Sequence, residues 1–317
     1  MSTPGRPKRE ATPTSAAVAR QHPLAHALPS FLCAGFALST VDATAKLLVQ
    51  DHALLLVVWA RYAGQLAVVT PFAWHRAGRD FWRSRRTRLQ LLRSAFLFGA
   101  TLCFFGGLRF LPLAEGSALT FLAPVFIVML SGPMLGEQPT RARWLAVFAG
   151  FLGVLILLRP GSAAFSAAAL LMISAAMCNA FYQVYTRMLQ EDSAYTTLFY
   201  SAVVGTVGTT LALPWIELGT LDVRTLLLFG VTGVAAGIGH YLLITAYARA
   251  PASLLTPFTY LQLVWATAYG FILFRQLPDA WSFAGMAVVI AGGVWLAHAE
   301  RRNVTMPKQP LPASEPL

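Results

Sequence analysis

A chain of 317 residues that is 56% hydrophobic and only 12% charged does not have the surface of a soluble protein. Its net charge of +11 raises nucleic acid as a partner, but the basic residues follow the pattern of a membrane protein, so no nucleic-acid partner is expected. Cys33, Cys103 and Cys178 are scattered and give neither a metal-ligand spacing nor a disulfide framework, so no metal and no cofactor is expected.

Residues 1–28 are polar, basic and rich in Pro and Ser, and read as a disordered cytoplasmic tail without a cleavable signal peptide. Ten apolar stretches follow, near 29–49, 54–74, 90–109, 113–135, 142–159, 164–186, 195–215, 225–247, 252–273 and 279–298. Each approaches the roughly 20 residues that a spanning helix needs. Breakers mark the joints, at Pro112, Pro139, Pro160-Gly161, Pro214, Pro251 and Pro278, while Pro124 lies in mid-span and predicts a kink. Residues 301–317 carry four prolines and read as a second disordered cytoplasmic tail. A membrane barrel needs alternating segments of about ten residues, and open sheet edges have no partners in lipid. These runs are continuously apolar, so the fold class is all-α integral membrane.

With an even number of spans, eighteen Lys and Arg fall on the side of both termini and four, Arg109, Arg159, Arg224 and Arg275, on the other. This bias predicts cytoplasmic termini. Seven of the eighteen lie between Arg76 and Arg93. The segment Arg76–Arg88, with Phe81 and Trp82 among its arginines, reads as an anchor on lipid headgroups, which makes the bilayer itself a partner.

Displacing the chain by 139 residues overlays its halves. Pro112 meets Pro251, Ser117 meets Thr256, Thr120 meets Thr259, Pro139 meets Pro278 and Gly153 meets Gly292. The boundaries follow as 29–159 for spans one to five and 160–300 for spans six to ten. Five spans is an odd number, so the second repeat enters from the opposite face. Inverted repeats can rock about a midplane site and expose it to each side in turn; duplication kept only for packing is the plainer alternative. Gly233 and Gly237, Gly150 and Gly153, and Gly292 and Gly293 mark close helix approaches.

Charged and polar residues inside the spans are the site candidates, because charge at bilayer depth costs roughly 2.5–3.5 kcal/mol and faces a cavity or a partner. Asp42 and Arg61 each lie about eight residues from the turn joining spans one and two, about 12 Å deep, where they can meet as a salt bridge. Lys46, one turn from Asp42, either shares that carboxylate or snorkels to the interface. In one reading Arg61 holds an anionic substrate group and Asp42 orients it or carries a proton; in the other they are a structural pair. In span nine Phe258, Gln262, Trp265 and Tyr269 form one stripe, suited either to a flat ring-bearing ligand or to helix packing, and Tyr260 points elsewhere, toward a pore. Asn179, Tyr182 and Gln183 give span six a polar face. His240 in span eight is a proton-coupling candidate or a bonded structural histidine. Glu115 suits the N-terminal turn of span four, and Glu137 sits four residues before Arg141.

Three segments carry a resemblance: "VWARYAGQLAVVTPFAW", "LPLAEGSALTFLAPVFIVMLSGPMLGEQPTRARWLAVFAGFLGVLILLRPG" and "ARAPASLLTPFTYLQLVWATAYGFILFRQLPDAWSFAGMAVVIAGGVW". Over 29–298 the chain resembles the drug/metabolite transporter superfamily, in its EamA-type group of ten spans in two repeats. The stretches "LSTVDATAKLL" and "APASLLTPFTYLQLVWA" resemble the branch with riboflavin and S-adenosylmethionine uptake proteins. Gln276 departs from the Glu often found there. The resemblance implies a secondary transporter of a small organic metabolite, with export of amino-acid-like or toxic compounds as the alternative. A membrane-embedded enzyme or a receptor is the reading from another class, but no nucleophile or zinc motif supports the first and the loops are short for the second; an ATP-driven pump lacks its Walker-type loop. The excess of Arg over Lys suits a bacterial inner membrane, and a second copy of the chain is a further candidate partner.

Overall fold

The computed structural model describes residues 23–136, 140–158, 167–189, 191–249, 255 and 258–305. Its described residues form eleven α-helices: α1 (Pro23–Asp51), α2 (Leu54–Ala77), α3 (Thr87–Leu108), α4 (Leu113–Thr120), α5 (Ala123–Leu135), α6 (Arg141–Leu158), α7 (Ala167–Met188), α8 (Ala194–Thr210), α9 (Val223–Arg249), α10 (Leu261–Phe274) and α11 (Ala280–Thr305). The fold is all-α, with ten spans in two inverted repeats; α4 and α5 together make the fourth. By length and composition, seven of the described spans can cross a bilayer outright, and α10 and the apolar part of α11 are shorter. A helix satisfies its own backbone, which is what lipid demands.

Both outer ends run longer than expected. Helix α1 starts at Pro23, within the stretch read as a tail, with its proline in the first turn where no backbone N–H is needed. Helix α11 continues to Thr305. Pro214 falls in a short 3-10 turn, Leu213–Trp215. Glu137, Pro139, Arg159, Pro160, Gly161, Pro251 and Thr256 lie outside the described residues, as do 1–22 and 306–317.

The helices close into a ring of eight spans. Going round, α1 packs on α9, α9 on α2, α2 on α8, α8 on α3, α3 on α7, α7 on the α4–α5 span, α4 on α10, and α10 on α1. Exchanging each helix for its repeat equivalent turns this order into itself. Helices α6 and α11 pair outside the ring, through Gly153 against Val289 and Gly285 against Leu157.

The fourth span breaks at Phe121 and Leu122, and Pro124 then opens α5. The ninth span turns at Tyr260 before α10, although no proline follows. Phe121 and Tyr260 are equivalent under the 139-residue displacement, and their rings stack on each other, centroids 5.2 Å apart.

The main buried cluster, including Leu48, Val57, Phe105, Leu108, Leu113 and Leu119, fills the end of the ring away from the arginine-rich loop. At the arginine-rich end a separate cluster, Ala27, Phe31, Ala246 and Leu255, holds only α1, α9 and the start of the ninth span together.

Candidate functional site

The inner face of α2 is set by what packs on its sides. Gly64 meets Gly233 of α9 so closely that a Cβ on either glycine would lie within 2.6 Å of the other's Cα. Tyr62 turns toward α8, its ring against Gly205, and its hydroxyl donates to Leu97 O at 3.2 Å and shares a hydrogen bond with Thr101 Oγ1 at 2.8 Å. Ala67 is exposed on the outside. Arg61 and Gln65, one turn apart, therefore point between α9 and α8 into the ring. Arg61 is 6% exposed, its guanidinium 4.4 Å from the Tyr62 ring centroid and 6.0 Å from that of Phe105. Its Nη1 has no protein partner, and neither has either amide atom of the fully buried Gln65. Ser94 Oγ on α3 is likewise buried and unpartnered.

Asp42 lies on α1 within electrostatic reach of Arg61, but the two, both described, form no ion pair. The expected salt bridge is absent, because Gln262 Nε2 donates to Asp42 Oδ2 at 3.5 Å and ties the acid to α10 instead. Lys46 neither shares that carboxylate nor snorkels. It is 5% exposed, and its Nζ donates to Leu108 O at 3.1 Å and to Leu111 O, carbonyls left over where α3 ends. Lys46 is a staple between α1 and α3. Glu115 accepts from Ser282 Oγ at 2.9 Å and joins α4 to α11 in the same way.

The span-nine stripe packs on α1. Phe258 joins the cluster of Phe31 and Leu255, Trp265 meets Phe36 edge-on at 5.2 Å, and Tyr269 shares a 2.7 Å hydrogen bond with Thr40. Phe36 and Thr40 also line an apolar groove of about 520 Å³ with exposed Leu226, Val231 and Ile238, so this contact lies toward the outside of the ring. Of the stripe, Gln262 alone reaches Asp42. Tyr260, expected at a pore, is buried on Phe121, and a Cβ at Gly293 would overlap its hydroxyl.

On α7, Tyr182 lies under the Arg93 guanidinium at 4.4 Å and Asn179 is partly buried, whereas Gln183 is exposed. Arg93, counted by sequence among the loop arginines, is 3% exposed inside the bundle. Its Nε donates to Thr186 Oγ1 at 2.7 Å and its Nη1 to Ser201 Oγ at 2.8 Å, so it clamps α3 to α7 and α8. The signal was its register, three residues after Gln90 and four before Leu97, both of which are buried on the same face. His240 on α9 has Arg61 and Arg93 within electrostatic reach. Its Nδ1 lies 2.9 Å from Ala236 O, an obligate acceptor, so Nδ1 carries the proton and Nε2 of the neutral ring is an acceptor. The ring thus gathers Asp42, Arg61, Gln65 and His240 from three helices.

Residues 27–159 and 166–297 each match the EamA-like transporter family. The chain belongs to that family. Among its relatives, a riboflavin transporter of Vibrio cholerae is 29% identical over 90% of this chain and 96% of that protein. An S-adenosylmethionine uptake transporter of Rickettsia prowazekii is 24% identical over 78% of this chain and 84% of its own. A pseudopaline exporter of Pseudomonas aeruginosa is 26% identical over 63% and 71%. A solved structure, described only as a crystal structure of protein, shares the fold with a TM-score of 0.64 at 18% identity, covering 91% of this chain and all of that one.

This EamA-like transporter is a multi-pass membrane protein whose arginine-rich end is tied by a polar network. Asp192 accepts from Ser84 Oγ and from Gln90 Nε2 at 2.9 Å. Burial raises its pKa, but these bonds and nearby Arg85 outweigh that and hold the carboxyl below its ordinary value. Trp74 and Trp82 are exposed, with Arg79 and Arg83 over their rings, as an interfacial anchor requires, whereas Phe81 turns inward onto Phe199.

Proposed function

We propose that this EamA-like transporter takes up a small organic metabolite with a flat ring system, of the riboflavin or S-adenosylmethionine kind, by alternating access between its two repeats. The observation that carries this reading is Arg61: a cation buried inside the ring with a donor left free is suited to an oxygen-bearing group of a substrate. Tyr62 and Phe105 beside it offer apolar ring faces. The relatives named as riboflavin and S-adenosylmethionine transporters support the substrate class. Asp42 and His240 are the proposed proton-coupling groups, since both lie in reach of Arg61.

The arginine bias supports cytoplasmic termini in a bacterial inner membrane. The large buried cluster then seals the outer end, while the Phe31 cluster and the Asp192 network hold the inner one and Arg61 lies buried between them. Exposed Trp144 and Phe148 on α6 and Trp281 on α11 are the proposed surface for a second copy, which crosslinking in membranes tests. The protein acts as a carrier and not as an enzyme, as its family supports.

The test is uptake of labelled riboflavin and S-adenosylmethionine by cells with the intact protein or Arg61→Gln at matched membrane abundance. The intact protein accumulates one of them and the variant loses at least about tenfold of the rate. Equal uptake by the variant removes Arg61 from the site. Net efflux instead moves the reading to export, as the name of the pseudopaline relative suggests.

A further inference from the structure

Gln65 is an inner-face side chain that offers both a donor and an acceptor and uses neither. Its amide is fully buried, and both Nε2 and Oε1 lack a protein partner. Buried amides in native proteins are nearly always bonded, so such a group calls for a specific explanation. Neither of its helix neighbours' contacts supplies one. Gly64 takes the contact with α9 and Tyr62 the contact with α8, so Gln65 is not needed by either interface. It stands one turn from Arg61 on the face that points into the ring.

The two side chains differ in what they can distinguish. Arg61 supplies donors only and accepts any oxygen placed before it. A primary amide presents one N–H beside one C=O, and in the same plane it pairs with an edge of opposite sense, as Gln pairs with adenine. We propose that Gln65 is the specificity-determining residue of the substrate site, reading a flat ring edge on which a hydrogen-bond acceptor lies next to an N–H. The imide edge of a flavin and the amino edge of an adenine both have this chemistry. Ser94 Oγ on α3 is also buried and unpartnered. A site built this way rejects an analogue that lacks the N–H far more strongly than one recognised by shape alone. The inference rests on the functional reading given above.

The experiment measures binding of riboflavin, 3-methylriboflavin and S-adenosylmethionine to the full chain in lipid nanodiscs. It compares the unaltered protein with Gln65→Met, which keeps the volume, Gln65→Glu, which keeps the acceptor, and Arg61→Gln. The unaltered protein binds riboflavin at least tenfold more tightly than its 3-methyl derivative, or, if adenine is the ring read, binds S-adenosylmethionine. Gln65→Met loses at least tenfold for the bound probe and no longer separates the two flavins. Arg61→Gln weakens both flavins in parallel. Should Gln65→Met not reach the membrane, Gln65→Glu decides by the same loss of discrimination. Unchanged affinity and discrimination in the Gln65 variants overturns the assignment while the substrate class stands. If the unaltered protein binds none of the three probes, the substrate class fails and the assignment with it, a result distinct from the former.

Discussion

At the scale of single residues, the charges divide into those that the fold consumes and those that it leaves free. Lys46 belongs to the first group, because its ammonium satisfies carbonyls at the end of α3. Lys46→Met leaves those buried acceptors unpaired, at about 1–3 kcal/mol. The purified variant then melts several degrees lower, and an unchanged melting temperature removes the staple. Arg93 is of the same kind, and Arg93→Leu strips donors from Thr186 and Ser201 together. Loss of folded protein from the membrane is the expected outcome, scored by fluorescence size-exclusion chromatography; a normal profile contradicts the clamp. Sequence located Asp42, Arg61 and His240 as intramembrane polar groups, because charge in an apolar run stands out. It missed Gln65 and Ser94, since an uncharged polar residue draws notice when others share its face, as Asn179, Tyr182 and Gln183 do, and these two stand beside no such group. It misplaced Arg93 because six other arginines precede it from Arg76 onward.

At the scale of elements, the helices are legible and their faces are not. Each apolar run became a helix because lipid leaves no other backbone solution. In lipid, however, the outside of a helix is as apolar as a packed side, so periodicity shows that Phe258, Gln262, Trp265 and Tyr269 share a face without showing which way it turns. Their partners, Phe31, Phe36, Thr40 and Asp42, all belong to α1, which no pattern within span nine encodes. The break at Phe121 was announced by Pro124, whereas the turn at Tyr260 has no local signal and follows from its packing on the equivalent ring. Glycine spacing did carry information: Gly233 and Gly237 mark where α9 lies on α2, against Gly64 and Val68. Gly233→Val overpacks that contact by about 1–3 kcal/mol or more, so its yield in the membrane falls well below that of Gly230→Val, where a Cβ meets nothing within 4 Å. Similar yields from the two variants contradict the packing.

At the scale of the whole molecule, the two ends are held by different forces. One is apolar and continuous; the other relies on Asp192 and its donors. A carboxyl held below its ordinary pKa in the folded state adds stability above the ordinary carboxylate range and loses it as pH falls through the folded value. Asp192→Asn therefore melts lower than the intact chain at neutral pH, by on the order of 2 °C, and the gap closes as pH falls through the folded value of Asp192. A gap independent of pH shows that the charge is not involved. The inverted repeat was legible because it is written in prolines and glycines; the ring order was not, since every ring contact between neighbours joins helices of opposite repeats.

The stack of Phe121 on Tyr260 joins two equivalent positions, so it lies where the pseudo-twofold axis passes. Around it the halves are unequal: Tyr260 has Gly293 beside its hydroxyl, and the counterpart of Gly293 in the first repeat is Val154. Rocking exchanges the roles of the repeats, and with symmetric halves the two facing states would have equal energy. Unequal volumes at the pivot remove that degeneracy. Under the proposed alternating access, the resting population is therefore weighted by the chain itself, and substrate acts on an equilibrium that is already tilted.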